Sequence, residues 1–248
     1  MAILGVIPAR FASTRFPGKP LTVINGKTMI RRVYEQATKA SKLGAVVVAT
    51  DDQRIADEVL SFGGKVVMTS EHHRSGTDRC AEVAAKLEGN WDAVINIQGD
   101  EPFIQPEQID LLASLFEDDA VAIGTLVKKL TDQSDLDNAN TIKVVLDRKM
   151  NGIYFSRSPI PHIRGEEKIN WLKNHFFYKH IGIYGYRTDV LQKLTALEPG
   201  KLEIAESLEQ LRWIENGYSI RTAFTTLETI SIDVPEDINK LRAAGLIE

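Results

Sequence analysis

Arg10, Arg15 and Lys19 fall within one loop-like stretch, Gly5-Val-Ile-Pro-Ala-Arg-Phe-Ala-Ser-Thr-Arg-Phe-Pro-Gly-Lys-Pro-Leu21, among small residues and straight after an apolar run. Guanidinium and ammonium groups set among Gly, Ala and Ser suit a phosphate-bearing ligand. The first 34 residues hold six Lys or Arg and no Asp or Glu, whereas the rest of the chain carries 24 basic against 34 acidic residues. A solvated basic face is the ordinary meaning of such a run. Its position favours an anion site instead, because an open α/β sheet binds ligands beyond the carboxyl ends of its strands.

Carboxylates stand at the ends of two further strand-like runs: Asp51-Asp52 after the second, and Gln98-Gly99-Asp100-Glu101-Pro102 after the fourth. Cations and carboxylates converging on one crevice suit a magnesium triphosphate, since Mg²⁺ takes one or two protein carboxylates and leaves its other positions to water and phosphate. Gly99 would let backbone approach the ligand closely. Asp100 could instead merely cap a turn. Asp233, in Ser231-Ile-Asp-Val-Pro-Glu-Asp237, reads either as a helix N-cap or as a second metal ligand, and spacing does not separate the two. Neither G-x-x-x-x-G-K-[ST] nor G-x-G-x-x-G occurs, so Walker ATPase and Rossmann dehydrogenase readings drop out. No nucleophile elbow is present. His72 and His73 are adjacent, which makes a paired metal site improbable.

The elements that must carry these groups alternate through the first half. Ile3 to Ile7, Ala45 to Ala49, Lys65 to Met68 and Ala93 to Ile97 are short Val/Ile-rich runs expected as strands buried on both faces. Ile30, Val33, Tyr34 and Ala37 recur at helical spacing, as do Gly76 to Leu87 and Pro106 to Phe116. This order predicts right-handed crossovers and a mainly parallel sheet. The second half predicts strands at Thr141 to Leu146, Gly152 to Phe155 and Lys179 to Tyr186, the last alternating with one exposed face. Helices are expected near Ile204 to Glu215 and Pro235 to Ala244. Within the first of these, Glu206, Glu209, Gln210 and Trp213 should share one face, with Ala205, Leu208 and Leu211 buried beside it. Residues 159 to 176 lack periodicity and read as an excursion that covers the site or meets a second subunit.

The chain has 248 residues, is 43% hydrophobic and has a net charge of −4, which describes an ordinary globular protein. No apolar run approaches the roughly 20 residues that span a bilayer, and no signal-peptide pattern opens the sequence, so a cytoplasmic location is expected. One cysteine, Cys80, excludes an internal disulfide and is expected as a small buried hydrophobe on a helix. The absence of a long basic stripe argues against duplex nucleic acid as a partner.

Taken together, these segments resemble the 3-deoxy-manno-octulosonate (Kdo) cytidylyltransferases, also called CMP-Kdo synthetases, along nearly the whole chain. Ile7 to Leu21 is similar to the opening signature of that family and Ala49-Thr-Asp-Asp52 to its second strand end. Ser75-Gly-Thr-Asp-Arg79, Gln98-Gly-Asp-Glu-Pro102, Lys143-Val-Val-Leu-Asp147, Tyr154-Phe-Ser-Arg157, His180-Ile-Gly-Ile-Tyr-Gly-Tyr186, Leu208-Glu-Gln-Leu-Arg212 and Asp233-Val-Pro-Glu-Asp237 follow in family order. Val234 stands where many members have Thr, and His162 to Asn174 follows no family pattern.

The resemblance implies a Rossmann-like nucleotidyltransferase fold: a mainly parallel central sheet, helices on both faces, and a smaller mixed-sheet dimerisation lobe. A CTP-binding part would cover about residues 1–130, a sugar-binding and dimerisation part about 131–230, and a metal ligand with a C-terminal helix 231–248. It implies transfer of CMP from CTP to the anomeric hydroxyl of Kdo, for lipopolysaccharide synthesis, by a Mg²⁺-dependent homodimer. Arg10, Arg15 and Lys19 would meet the CTP phosphates, and Asp100 with Asp233 would bind magnesium. Pro8, Ala9, Ser75, Gly76 and Thr77 would lie near cytosine. Gln98, His180, Tyr184, Glu209 and Gln210 would hold the sugar acid, with Arg157 a partner for its carboxylate. Competing readings are the same chemistry on an amino-substituted Kdo or a sialic acid, a non-catalytic nucleotide sensor, and a metal-dependent glycosyltransferase. The last typically carries Asp-x-Asp in place of Gln-Gly-Asp-Glu-Pro.

Overall fold

In the computed structural model, which describes residues 1–12, 16–228, 230–243, 245 and 247, backbone contacts divide the chain into two units. One comprises Met1–Ser114 with Glu228–Glu248, the other Leu115–Leu227.

The first unit is organised on β1 (Ile3–Ala9), whose apolar run is buried almost throughout. A two-stranded hairpin follows, β2 (Val23–Ile24) and β3 (Lys27–Thr28), turned by Asn25 and Gly26, both at positive φ. Asn-Gly is the pair that a tight hairpin favours. Then come α1 (Met29–Ala37), β4 (Ala45–Thr50), α2 (Gln53–Ser61), β5 (Val66–Met68), α3 (Gly76–Lys86), β6 (Ala93–Asn96) and α4 (Pro106–Ser114). The strands run β6-β1-β4-β5, all parallel, with Val6 opposite both Val47 and Asn96. β1, β4 and β6 are buried as expected. β5 differs: its residues are half-buried and Met68 is exposed, because β5 is the last strand in this order and has only β4 beside it.

Side-chain caps start α1, α2 and α3. The Thr28 hydroxyl accepts from Arg31 N–H, and the Asp52 carboxylate from Arg54 N–H. Ser75 and Asp78 form a reciprocal capping box at the start of α3. Cys80 lies fully buried on that helix. A C-terminal helix, Pro235–Ala243, packs Ile238 and Leu241, together with Ile232, against Ile24 and Met29.

The second unit contains β7 (Ile123–Lys129), α5 (Gln133–Asp137), β8 (Lys143–Leu146), β9 (Gly152–Ser156), α6 (Trp171–Asn174), β10 (Tyr178–Arg187), α7 (Thr188–Thr195), α8 (Lys201–Glu206), α9 (Gln210–Glu215) and β11 (Ile220–Phe224). β7 pairs in parallel with β11 and antiparallel with β10, and β8 pairs antiparallel with both β9 and β10. Lys143 is wholly buried, its ammonium satisfied by the carbonyls of Asn138, Thr141 and Arg157 at 2.6–2.8 Å. Within the excursion expected at 159–176, Trp171 packs on Leu130, Leu136 and Phe177.

Two expectations fail in this unit. β10 is antiparallel as predicted, yet Ile183 to Tyr186 is buried at every position, because Trp213 packs edge-on against both Tyr184 and Tyr186. The helix expected over 204–215 is two helices, broken at Ser207, which adopts a left-handed conformation with φ 51°. Glu206 and Trp213 therefore do not share a face. Ala205 is exposed, while Gln210 and Trp213 are buried beside Leu211. Arg212 reaches back over the break to the Glu203 carboxylate with bonds of 2.7 and 2.6 Å.

Candidate active site

The carboxyl ends of β1 and β6 open onto a cleft of about 260 Å³ in the first unit. Pro8, Ala9 and Arg10 come from the end of β1, and Gln98, Gly99 and Asp100 from the loop after β6. The two chain ends touch: a Cβ on Gly99 would stand 2.6 Å from the Pro8 carbonyl oxygen, so no larger residue fits without moving backbone. Gly18, at φ 71°, donates its N–H to Phe11 O at 3.0 Å and reverses the chain into a short 3-10 turn that starts at Lys19.

Lys19 is the centre of the charge arrangement. Its ammonium lies 2.8 Å from an Asp100 carboxylate oxygen and 3.7 Å from Asp233 Oδ1. Asp233 is brought here by the segment before the C-terminal helix, where the Asp237 carboxylate accepts from the N–H groups of Asp233 and Val234. Asp237 thus ties down the backbone entering that helix, while the Asp233 carboxylate lines the cleft. Two hard oxygen donors meet on one cation, and the described residues hold no group of three or more metal-binding side chains. That donor set fits Mg²⁺, which needs one or two carboxylates when a phosphate supplies the rest.

Opposite, the start of α3 contributes Ser75 and Gly76. Ser75 Oγ accepts from Asp78 N–H at 3.1 Å, which leaves its hydroxyl proton available to a ligand. Thr77 is buried and does not line the cleft. Arg74 and Arg79 line it as well. The nearly buried Arg79 guanidinium is held by Asp51 at 2.5 Å and by Thr69 Oγ1 at 2.7 Å. His73 also lines the cleft and contacts the Glu82 carboxylate. Burial works to raise the Glu82 pKa, but Lys86 together with hydrogen bonds from Ser70 N–H and His73 brings it to about 2.

In the second unit, His180 and Tyr184 lie together on β10 with ring centroids 5.0 Å apart. The buried Tyr184 hydroxyl has no hydrogen-bond partner among the described residues. Burial, then Tyr186 and the Glu209 carboxylate, hold its phenol pKa well above the ordinary value. Burial pushes the His180 imidazolium down to about 3, so the ring is neutral at physiological pH. Gln210 opens α9 and is buried, and Glu209 precedes it. Arg157, after β9, directs its guanidinium to the carbonyl oxygens of Glu206 at 2.6 Å, Ala139 at 3.1 Å and Ser207 at 3.3 Å.

The structure thus brings Pro8, Ala9, Arg10, Lys19, Ser75, Gly76, Gln98, Asp100 and Asp233 to one cleft. His180 and Tyr184 lie side by side in the second unit. Arg15 lies outside the described residues. Arg74 and His73 were missed as cleft residues; their signal was position, directly before the Ser75 cap.

Comparison with known proteins identifies the family of the chain. The cytidylyltransferase family model matches residues 4–230. A "3-deoxy-manno-octulosonate cytidylyltransferase" of Cytophaga hutchinsonii is 57% identical over 96% of this chain and 95% of its own. A protein of the same name from Bacteroides thetaiotaomicron is 56% identical over 96% of each. Among solved structures, a CMP:2-keto-3-deoxy-manno-octonic acid synthetase complexed with CTP superposes with a TM-score of 0.90 at 42% identity, covering 99% of both chains. By sequence and by fold, the chain belongs to the 3-deoxy-manno-octulosonate cytidylyltransferase family.

Proposed function

We propose that this protein transfers CMP from CTP to the anomeric hydroxyl of Kdo, releasing pyrophosphate, and so supplies activated Kdo for lipopolysaccharide synthesis. The observation that carries the reading is Lys19, poised between Asp100 and Asp233 beside Arg10. Transfer of a phosphoryl-type group asks a protein chiefly for alignment and charge stabilisation. Arg10, Arg15 and Lys19 bind the triphosphate and offset the charge that gathers on the departing pyrophosphate. Pro8, Ala9, Ser75 and Gly76 meet the base, while the buried Thr77 stands behind them and does not reach it. Gln98, His180, Tyr184, Glu209 and Gln210 take the sugar acid. The orphan Tyr184 hydroxyl supports this role, because a buried hydroxyl without a partner gains a full hydrogen bond when a ligand supplies one. Arg157 is the weaker candidate for the sugar carboxylate, given the three carbonyls that already hold it.

Asp100 and Asp233 would hold Mg²⁺. When bound there, the ion supplies Lewis-acid stabilisation of the phosphate and lowers the pKa of the attacking hydroxyl. His180 is neutral and fixed by Thr125, so no histidine is assigned as general base.

We further propose that the protein is a cytoplasmic homodimer. Exposed Phe176, Ile169 and Ile153 on the second unit support an apolar interface there. Its single cysteine fits a reducing compartment, and no described helix is long and apolar enough to cross a membrane.

The test is pyrophosphate release with each NTP, with and without Kdo and Mg²⁺, using amino-Kdo and sialic acid as comparison acceptors. Release that requires CTP, Kdo and magnesium together supports the reading. Preference for another acceptor overturns the sugar assignment, and CTP binding without turnover favours a sensor. Sedimentation of the full chain tests the dimer.

A further inference from the structure

The hydroxyl of Thr125, on β7, is completely buried and has three neighbours within hydrogen-bond reach. They are His180 Nε2 at 2.9 Å, Ile183 O at 2.7 Å and Ile181 O at 3.3 Å. Two of the three are carbonyl oxygens, which only accept. A threonine hydroxyl has one proton. Were that proton given to the imidazole, lone pairs of the hydroxyl oxygen would face the Ile183 carbonyl with nothing between them. The proton therefore goes to Ile183 O, and the threonine oxygen accepts from His180 Nε2–H. This makes His180 the Nε2-protonated neutral tautomer and leaves Nδ1 as an acceptor, which takes no hydrogen bond from any described residue.

The arrangement originates in a bulge. Along the β7–β10 pairing, Leu126 faces Ile181 while its neighbour Thr125 faces Tyr184, so Gly182 and Ile183 are extra residues on β10. Bulges interrupt the ladder and re-aim side chains, often beside active sites. Thr125 supplies the donor that the bulged carbonyl lacks, and its oxygen then serves the ring nearby. Phe155, edge-on at 5.3 Å between ring centroids, and Tyr184 hold that ring in place.

We propose that Thr125 is a positioning residue: it fixes the tautomer of His180 so that Nδ1 is presented as a hydrogen-bond acceptor to a hydroxyl group of the acidic sugar. The inference rests on the reading of His180 as a sugar contact. It goes further by naming the atom, its protonation and the group that sets it.

Nitrogen-15 NMR of the full chain labelled at histidine reads the tautomer directly, with the His180 signals identified by their loss in His180→Gln. The expected result is a protonated Nε2 and an unprotonated Nδ1 in the unmutated protein. The reverse pattern there, which needs no variant to observe, overturns the proposal. Thr125→Val keeps the shape, removes the acceptor, and should shift His180 toward the Nδ1-protonated form. The same variant should raise the KM for Kdo roughly tenfold while the KM for CTP stays near its original value. Thr125→Ser should restore both signature and KM; a serine variant behaving like the valine one would point to packing alone and overturn the assignment. An unchanged signature in Thr125→Val also overturns it. A shifted signature with an unchanged Kdo KM keeps Thr125 as the tautomer-setting group but overturns the presentation of Nδ1 to the sugar, and with it the reading of His180 as a sugar contact.

Discussion

Ile232 N–H donates to the carbonyl oxygen of Asp100 at 2.9 Å, so the segment that carries Asp233 is tied to the loop that carries the other carboxylate. Residues far apart in sequence are thereby registered through backbone. Ile232 is wholly buried among Ile24, Met29 and Ile238. Ile232→Ala should cost about 2–4 kcal/mol of stability, as cavity-forming core substitutions do. It should also lower kcat by loosening Asp233. Urea denaturation and steady-state kinetics on the same preparation check both effects.

For Asp100→Ala we expect a loss in kcat of at least ~100-fold, on the order of 3 kcal/mol of barrier. Pyrophosphate release at saturating CTP and Kdo measures it. Turnover near the original value would remove Asp100 from the proposed metal site.

Gly99→Ala tests the closeness of the two strand ends. The added methyl would meet the Pro8 carbonyl at 2.6 Å, and backbone is the part that must yield. We expect about 1–3 kcal/mol of destabilisation from overpacking, read as a lower melting temperature. CTP binding should weaken as well, because Pro8 and Asp100 would both shift.

Gln210→Ala and His180→Gln should raise the KM for Kdo far more than that for CTP, since both residues belong to the second unit while Arg10 and Lys19, the cations proposed for the phosphates, belong to the first. Initial rates with each substrate varied in turn decide this. Equal effects on the two constants would count against the sugar assignment.

Burial lowers the His180 pKa from 6.5 to about 3. As pH falls, the unfolded chain takes up this proton first, so the stability present above the ordinary pKa is lost as pH drops through the interval between those two values. His180→Gln removes that contribution. Comparing urea midpoints near pH 7 and near pH 5, the original protein should lose more stability than the variant; parallel losses would mean that His180 is not held neutral.

The alternation of Val/Ile runs with helical spacing was enough to place β1, β4 and β6 and the helices α1 and α3, because each of those strands is buried and each of those helices has one apolar face. Asp100 at the end of β6, and Lys19 after β1, were legible for the same reason: in a parallel sheet, position along the strand fixes the edge at which a residue emerges. The broken helix at Ser207 was not legible. The side chains at 206, 209, 210 and 213 fit a helical period, and only the left-handed turn at Ser207, with the reach of Arg212 back to Glu203, breaks it.

By itself, then, the sequence determined the buried strands β1, β4 and β6, the helices α1, α3 and α4, and the family. Tertiary structure alone decided that Asp233 meets Lys19, that Gly99 lies against Pro8, and that the Thr125 hydroxyl meets His180 Nε2. Those relations join residues brought together by packing of the core and by a bulge in register, and short-range patterns of hydrophobicity carry no record of such distant pairings.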